Sequence, residues 1–396
     1  MVGRSRTVAA LGLLAVAVSA CSSGEGSGGT DTLGGSVVAS AGATSAPAGS
    51  DGTAVPTGPQ AFAARGPYPV GTLEIDAPNG PITVWYPAEP GSEAGAQAAT
   101  YDMRAYLPPA EQAKVTSADE IVFTTAAFTD LPAAEPESRP FPLVLFSHGF
   151  CGFRQQSSFL TTAIASWGFI VAAPEHSARD LTSCLTGTIG QGASTDVDDL
   201  RAAIPVMEAE NLRDDGPLAT RVDTSRVAVV GHSAGGAAAL QMSADPQIAT
   251  FVALAAGNGT PPAKPGLFVA GDADAIAPAA SIEQWWGSTV PSPRQLAVLS
   301  GVTHLGFMDA CTIAADQGGV VQVASDAGVA VPEVIERLYA DGCDPKYTAA
   351  PTAWPAIQHL TIAQLRAALG IDPSPVGLDA SLADAYDGLT IRYQSA

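Results

Sequence analysis

Gly231-His232-Ser233-Ala234-Gly235 is a G-x-S-x-G pattern, preceded by the apolar run RVAVV at 226–230 and followed by a small-residue helical stretch from Ser233 to Met242. A sharp strand-to-helix turn holds the central serine in strained backbone angles, and Gly231 and Gly235 keep side chains out of the crowded turn. The hydroxyl then stands exposed at a helix N-terminus, placed to attack a carbonyl carbon. A serine hydroxyl is a weak nucleophile until a base removes its proton, so this chemistry needs a histidine, and an acid to orient it.

Five histidines are available. His304, in VTHLGF just after the apolar run QLAVLS at 295–300, is the expected base, with His359 and His176 as alternatives. The acid is expected where GLFVA at 266–270 runs into GDADAIAP: Asp274 reaches back to His304 while Asp272 makes the turn, with Asp272 and then Asp309 as the other candidates. Serine, acid and histidine then follow one another in chain order, as in a strand-turn-helix serine site. The negative oxygen that develops on the attacked carbonyl needs two N–H donors, expected from Ala234 and, in the loop of LFSHGF at 145–150, from Phe150. Gly149 permits close backbone approach there. His148 either lines the pocket or braces that loop, and the same choice is open for His176 with Glu175. Trp285 and Trp286 read as helix packing. The chemistry calls for no metal and no organic cofactor.

The elements that must position these residues alternate. A strand at 141–147 is followed by a helix from Ser157 to Trp167, the strand FIVAA at 169–173, a helix from Thr195 to Glu210 and the strand before Ser233. FVALA at 251–255, GLFVA, a helix near Ala279 to Trp286 and QLAVLS come next. Such alternation predicts an α/β domain with a mostly parallel central sheet flanked by helices, its chemistry beyond the carboxyl ends of the strands. Leu73–Ile75 and Ile82–Trp85 open the domain as a hairpin, residues 88–138 read as loops with one short helix, and helices are expected at Pro332–Tyr339 and Thr361–Leu369. The tail after Asp372 lies on the surface or covers an edge of the domain.

The N-terminal residues read as an export signal. MVGRSR, an apolar run too short for a permanent span, and Val18-Ser19-Ala20-Cys21 resemble the signal and lipobox of bacterial lipoproteins, in which the cysteine is lipidated. A signal over 1–20, a lipidated Cys21 with a flexible Gly/Ser/Ala-rich linker over 21–64, and a single catalytic domain over 65–396, whose segment 311–396 is the least familiar, are the expected organisation. The protein would then sit on the extracytoplasmic face of a bacterial membrane through its anchor, or be released from it. With 39 acidic against 18 basic residues and a formal charge of -21, no nucleic-acid partner is expected, and no obligate protein partner is evident. Beyond Cys21, four cysteines in an oxidising compartment permit three pairings. Cys151–Cys184 with Cys311–Cys343 is the expected one, because it staples two loops near the site.

LVLFSHGFCGFRQQSSFLTTAIASWGFIVAAPEHSARD followed by GHSAGG, together with the early VWYP, resembles the plasma-type platelet-activating-factor acetylhydrolase family and its bacterial relatives. The likeness covers about 73–310 and is sharpest at FSHGF, FIVAAPEHSARD and GHSAGG. It implies the α/β-hydrolase fold, a calcium-independent hydrolase of short-chain or phospholipid-like esters, Ser233, Asp274 and His304 as the triad, and Phe150 and Ala234 as oxyanion donors. The broader group of serine esterases also implies lipases and polyester hydrolases. An amidase or peptidase, and a lipoprotein that binds lipid without catalysis, remain the rival readings.

Overall fold

In the computed structural model, which describes residues 56–115 and 121–396, the apolar runs of the sequence lie side by side as strands. In chain order these are β1 (Val70–Ala77), β2 (Gly80–Pro87), β3 (Ala98–Asp102), β4 (Val122–Thr129), β5 (Phe141–Ser147), β6 (Ile170–Pro174), β7 (Val222–His232), β8 (Ile248–Leu254), β9 (Gly266–Gly271), β10 (Gln295–Leu299) and β11 (Ile391–Ser395). The helices are α1 (Pro109–Gln112), α2 (Ser158–Ser166), α3 (Leu181–Thr186), α4 (Asp196–Leu212), α5 (Ala234–Met242), α6 (Ala279–Thr289), α7 (Val320–Asp326), α8 (Glu333–Gly342) and α9 (Ala350–Ala368).

All eleven strands form one sheet in the order β11-β10-β9-β8-β7-β5-β6-β2-β1-β4-β3. The six strands from β6 to β10 in that order run parallel to one another, and antiparallel pairs extend the sheet at both ends. This is the α/β-hydrolase fold. Side chains alternate between the two faces: Val144 and Phe146 pack with α2 and α9, while Leu143 and Leu145 pack with α4, α5 and α6. Strand β5 is buried at every position, as a strand covered on both faces must be. Thr195 and Asp198 close a capping box at the start of α4.

Three sequence expectations are corrected. Residues 88–138 contain β3 and β4 as well as the short α1; β3 is only five residues with alanines on both faces, and the half-exposed positions of β4 carry too weak an alternation to be read. Helix α9 begins at Ala350, eleven residues before the expected start, which Pro351 in its first turn and Pro355 inside it obscure in the sequence. The linker does not extend to 64: Phe62 is fully buried against Trp167 and His359, so the packed domain begins before it. The tail covers an edge, where β11 pairs with β10. Residues 1–55, with the expected signal, Cys21 and most of the linker, lie outside the described residues. No described helix is long and apolar enough to cross a membrane.

Candidate active site

Ser233 sits between the end of β7 and the start of α5 at φ 57° and ψ -119°. A left-handed φ at a serine stores on the order of 1–3 kcal/mol, so the surroundings must impose it. They do so from both sides: the Ser233 N–H donates to the Leu254 carbonyl (2.9 Å), and the Ser233 carbonyl accepts the Ala237 N–H (3.1 Å). The flanking glycines are a steric necessity. A Cβ at Gly231 would stand 2.0 Å from the Gly235 carbonyl oxygen, and one at Gly235 would stand 2.1 Å from that of Ser147.

The loops after β9 and β10 bring the acid and base to this turn. His304 Nε2 lies 2.9 Å from Ser233 Oγ, and His304 Nδ1 lies 2.8 Å from Asp274 Oδ2. The other oxygen of Asp274 accepts the N–H groups of Ile276 and Ala277, each at 2.8 Å, which fixes the carboxylate plane. Asp272 does not face the histidine; it accepts the Gly301 N–H at 2.6 Å. Asp309 is buried elsewhere, receiving Ser158 and Phe159 N–H groups and the hydroxyls of Ser158 and Tyr101. Burial pushes its pKa up to about 7 in spite of these donors. His359 is not at the site: its Nδ1 accepts the Phe62 N–H and its Nε2 faces the Gly377 carbonyl, each at 3.3 Å.

Behind the loop Ser147–Gly152 lies a buried polar network. Arg179 is 6% exposed, donates to the carbonyls of His148 (2.7 Å) and Gly149 (2.6 Å), and holds Asp196 through Nε (2.5 Å). Because a trans peptide sets C=O and N–H on opposite sides, drawing the Gly149 carbonyl to Arg179 turns the Phe150 N–H the other way. Gln156 ties the same loop to the elbow, accepting the Gly149 N–H (3.0 Å) and donating to His232 Nδ1 (3.0 Å). His232 Nε2 in turn donates to the His304 carbonyl (3.1 Å), and burial holds the His232 pKa well below its ordinary value.

His148 and His176, considered as pocket residues, are fully buried and line neither cleft at Ser233. His148 Nδ1 donates to the Gly149 carbonyl (2.9 Å), and its Nε2 accepts the His176 N–H (3.0 Å); Glu175 accepts from Arg154 (2.9 Å). His176 lies between Ser147 Oγ (2.8 Å) and Asp199 (2.9 Å), and burial lowers its pKa to about 4. Ser147, His176 and Asp199 thus repeat the serine, histidine and aspartate order in the interior, where no substrate can reach. Access separates the two sets: Ser233 is half-buried and Ser147 is sealed.

Two clefts meet at Ser233. One is lined by Phe150, Leu181, Leu305, Met308 and Leu338 among others, with Phe150 48% exposed. The other is lined by Ala234, Asn258, Ile276, Ser281 and Trp285, while Trp286 packs in the core. Both expected disulfides are present: Cys151–Cys184 joins the Phe150 loop to α3, and Cys311–Cys343 joins the end of α8 to the segment after His304.

A family model for platelet-activating factor acetylhydrolase, isoform II, matches residues 112–215, the segment that carries the Ser147–Gly152 loop, His176 and Arg179. The chain is an α/β-hydrolase that resembles the platelet-activating-factor acetylhydrolases. Cutinase 1 of Thermobifida cellulosilytica and a cutinase of Thermobifida fusca (strain YX) are each 27% identical to it over 184 residues, 42% of this chain and 62% and 54% of theirs. Cutinase est1 of Thermobifida alba is 26% identical and is matched over 55% of its length. The chain thus spans a little over half the length of these relatives.

Sequence reasoning missed Arg179, Gln156, Asp196 and Asp199. Each reads as an ordinary polar residue, and only the crossing of α3, α4 and the β5 loop brings them together. Arg179 had a signal, because it lies in a stretch that follows directly from the strand FIVAA.

Proposed function

We propose that the protein is a serine carboxylic-ester hydrolase working through an acyl-enzyme. The observation that carries this reading is the linked Ser233–His304–Asp274 set, at 2.9 and 2.8 Å, on a strained turn between two clefts. His304, oriented by Asp274, takes the proton of Ser233 as Oγ attacks the ester carbonyl. The N–H groups of Ala234 and Phe150 receive the developing oxyanion, each such donor being worth about 3 kcal/mol in the transition state. His304 returns the proton to the departing alkoxide. Water, deprotonated by His304, then attacks the acyl-serine; acid leaves and Ser233 is regenerated.

The substrate is a short-chain or phospholipid-like ester, a reading supported by the acetylhydrolase resemblance. The cutinase relatives favour a second reading, hydrolysis of an aliphatic polyester. A panel of soluble short-chain esters, a phospholipid with a short second acyl chain and a polyester film separates the two, with Ser233→Ala as control. Turnover in the variant equal to the wild type on every substrate would sink the proposal.

The site of action is the outer face of a cell membrane, with Cys21 carrying the lipid. Expression of the full chain with Cys21→Ser is expected to move the protein from the membrane fraction to the soluble one, and unchanged fractionation would refute the anchor.

A further inference from the structure

Helix α8 carries Ile335, Leu338 and Tyr339 at i, i+3 and i+4, one face of a helix, and all three line the cleft that contains Ser233. Ile335 and Tyr339, together with Leu181 of α3, also line a second cavity of about 50 Å³. Its wall also includes Val320, Val323 and Ala324 of α7, and Tyr339 alone among its lining residues bears a side-chain oxygen or nitrogen. A cavity with such walls offers nothing to an ion, a sugar or a headgroup and is suited to hydrocarbon. The second cleft at Ser233 presents Asn258 and Ser281, which suits the alcohol side of an ester.

We propose that this cavity is the terminal part of the acyl subsite, taking the last carbons of an aliphatic acyl chain that runs from Ser233 past Leu181, Ile335 and Tyr339. The inference rests on the reading of Ser233 as the nucleophile of an ester hydrolase and adds what sets acyl length. The volume is about a third of the roughly 150 Å³ cavity that accepts benzene, so only a few carbons fit and the α7 wall acts as a stop. Cys151–Cys184 ties down α3 and Cys311–Cys343 the end of α8, so covalent links hold two of the walls that measure the chain.

The test is kcat/KM for p-nitrophenyl esters with acyl chains of about two to twelve carbons, in the wild type, Ala324→Phe and Val323→Ala. Burial of one methylene is worth about fourfold. The wild type is therefore expected to improve with chain length to a maximum beyond acetate and then fall. Ala324→Phe fills the cavity: the maximum moves to shorter chains, and the rate at the wild-type optimum drops by about tenfold relative to acetate. Val323→Ala enlarges it and moves the maximum to longer chains, and this variant decides the matter if Ala324→Phe does not fold. A maximum at acetate in the wild type, or at the same length in every folded variant, overturns the acyl subsite while ester hydrolysis stands. No turnover of any ester by the wild type overturns the functional reading, and the subsite with it.

Discussion

On the proposed mechanism, Arg179 aims the peptide that supplies the Phe150 N–H without touching the substrate itself. Its fork draws the His148 and Gly149 carbonyls inward and leaves the Phe150 N–H facing away from it, while Asp196 compensates the buried charge. Arg179→Met is expected to lower kcat by about 100-fold, the scale of one lost oxyanion donor, with KM changed only a few-fold. It also leaves the half-buried Asp196 without its cation and removes the donors of the His148 and Gly149 carbonyls, so rates are to be compared well below each melting temperature. Arg179→Lys keeps a charge without the planar fork and should fall between the two. A purely structural residue would lower the melting temperature and leave kcat alone.

At the scale of the element, the elbow exists because α5 approaches β5 with no side chain between them. Gly235→Ala drives a methyl into the Ser147 carbonyl, and neither backbone can retreat without moving Ser233 or the oxyanion loop. Loss of stability of about 1–3 kcal/mol in urea unfolding, with loss of ester turnover, is expected. Wild-type behaviour on both measures would mean that the close approach is not required. This turn was legible in the sequence because steric need writes itself as glycine around a serine, between an apolar strand and a small-residue helix. Asp274 and His304 were legible for a related reason, each following a buried run whose end has to be the functional end of the sheet. The bracing side was not. A buried arginine reads like a surface arginine, and Gln156 acquires its meaning only from the packing of the β5 loop on His232. Strand β3 escaped because it is five residues long with alanines on both faces, β4 because its burial alternates poorly, and the first half of α9 because its prolines imitate a break.

Across the whole molecule, buried ionisable groups couple folding to pH. Burial lowers His176 and His359 to about 4 and His232 well below its ordinary value, so the unfolded chain takes up three protons that the folded one refuses between about pH 4 and 6.5. Asp309, raised to about 7, works in the other direction, with the folded state holding one proton more over the same window. The difference of about two protons makes stability fall on acidification by roughly 3 kcal/mol per pH unit near pH 5. Urea midpoints measured from pH 7 to 4 should decline throughout, and a flat or rising series would contradict the buried neutral histidines. The fold also holds two serine, histidine and aspartate sets, one open at Ser233 and one sealed at Ser147, and the mechanism assigns the chemistry to the open one alone. Labelling of the folded protein with a fluorophosphonate, followed by peptide mass spectrometry, tests that assignment most directly. A single adduct on Ser233, absent from Ser233→Ala, is the expected result; no adduct, or one that persists in the variant, would contradict it.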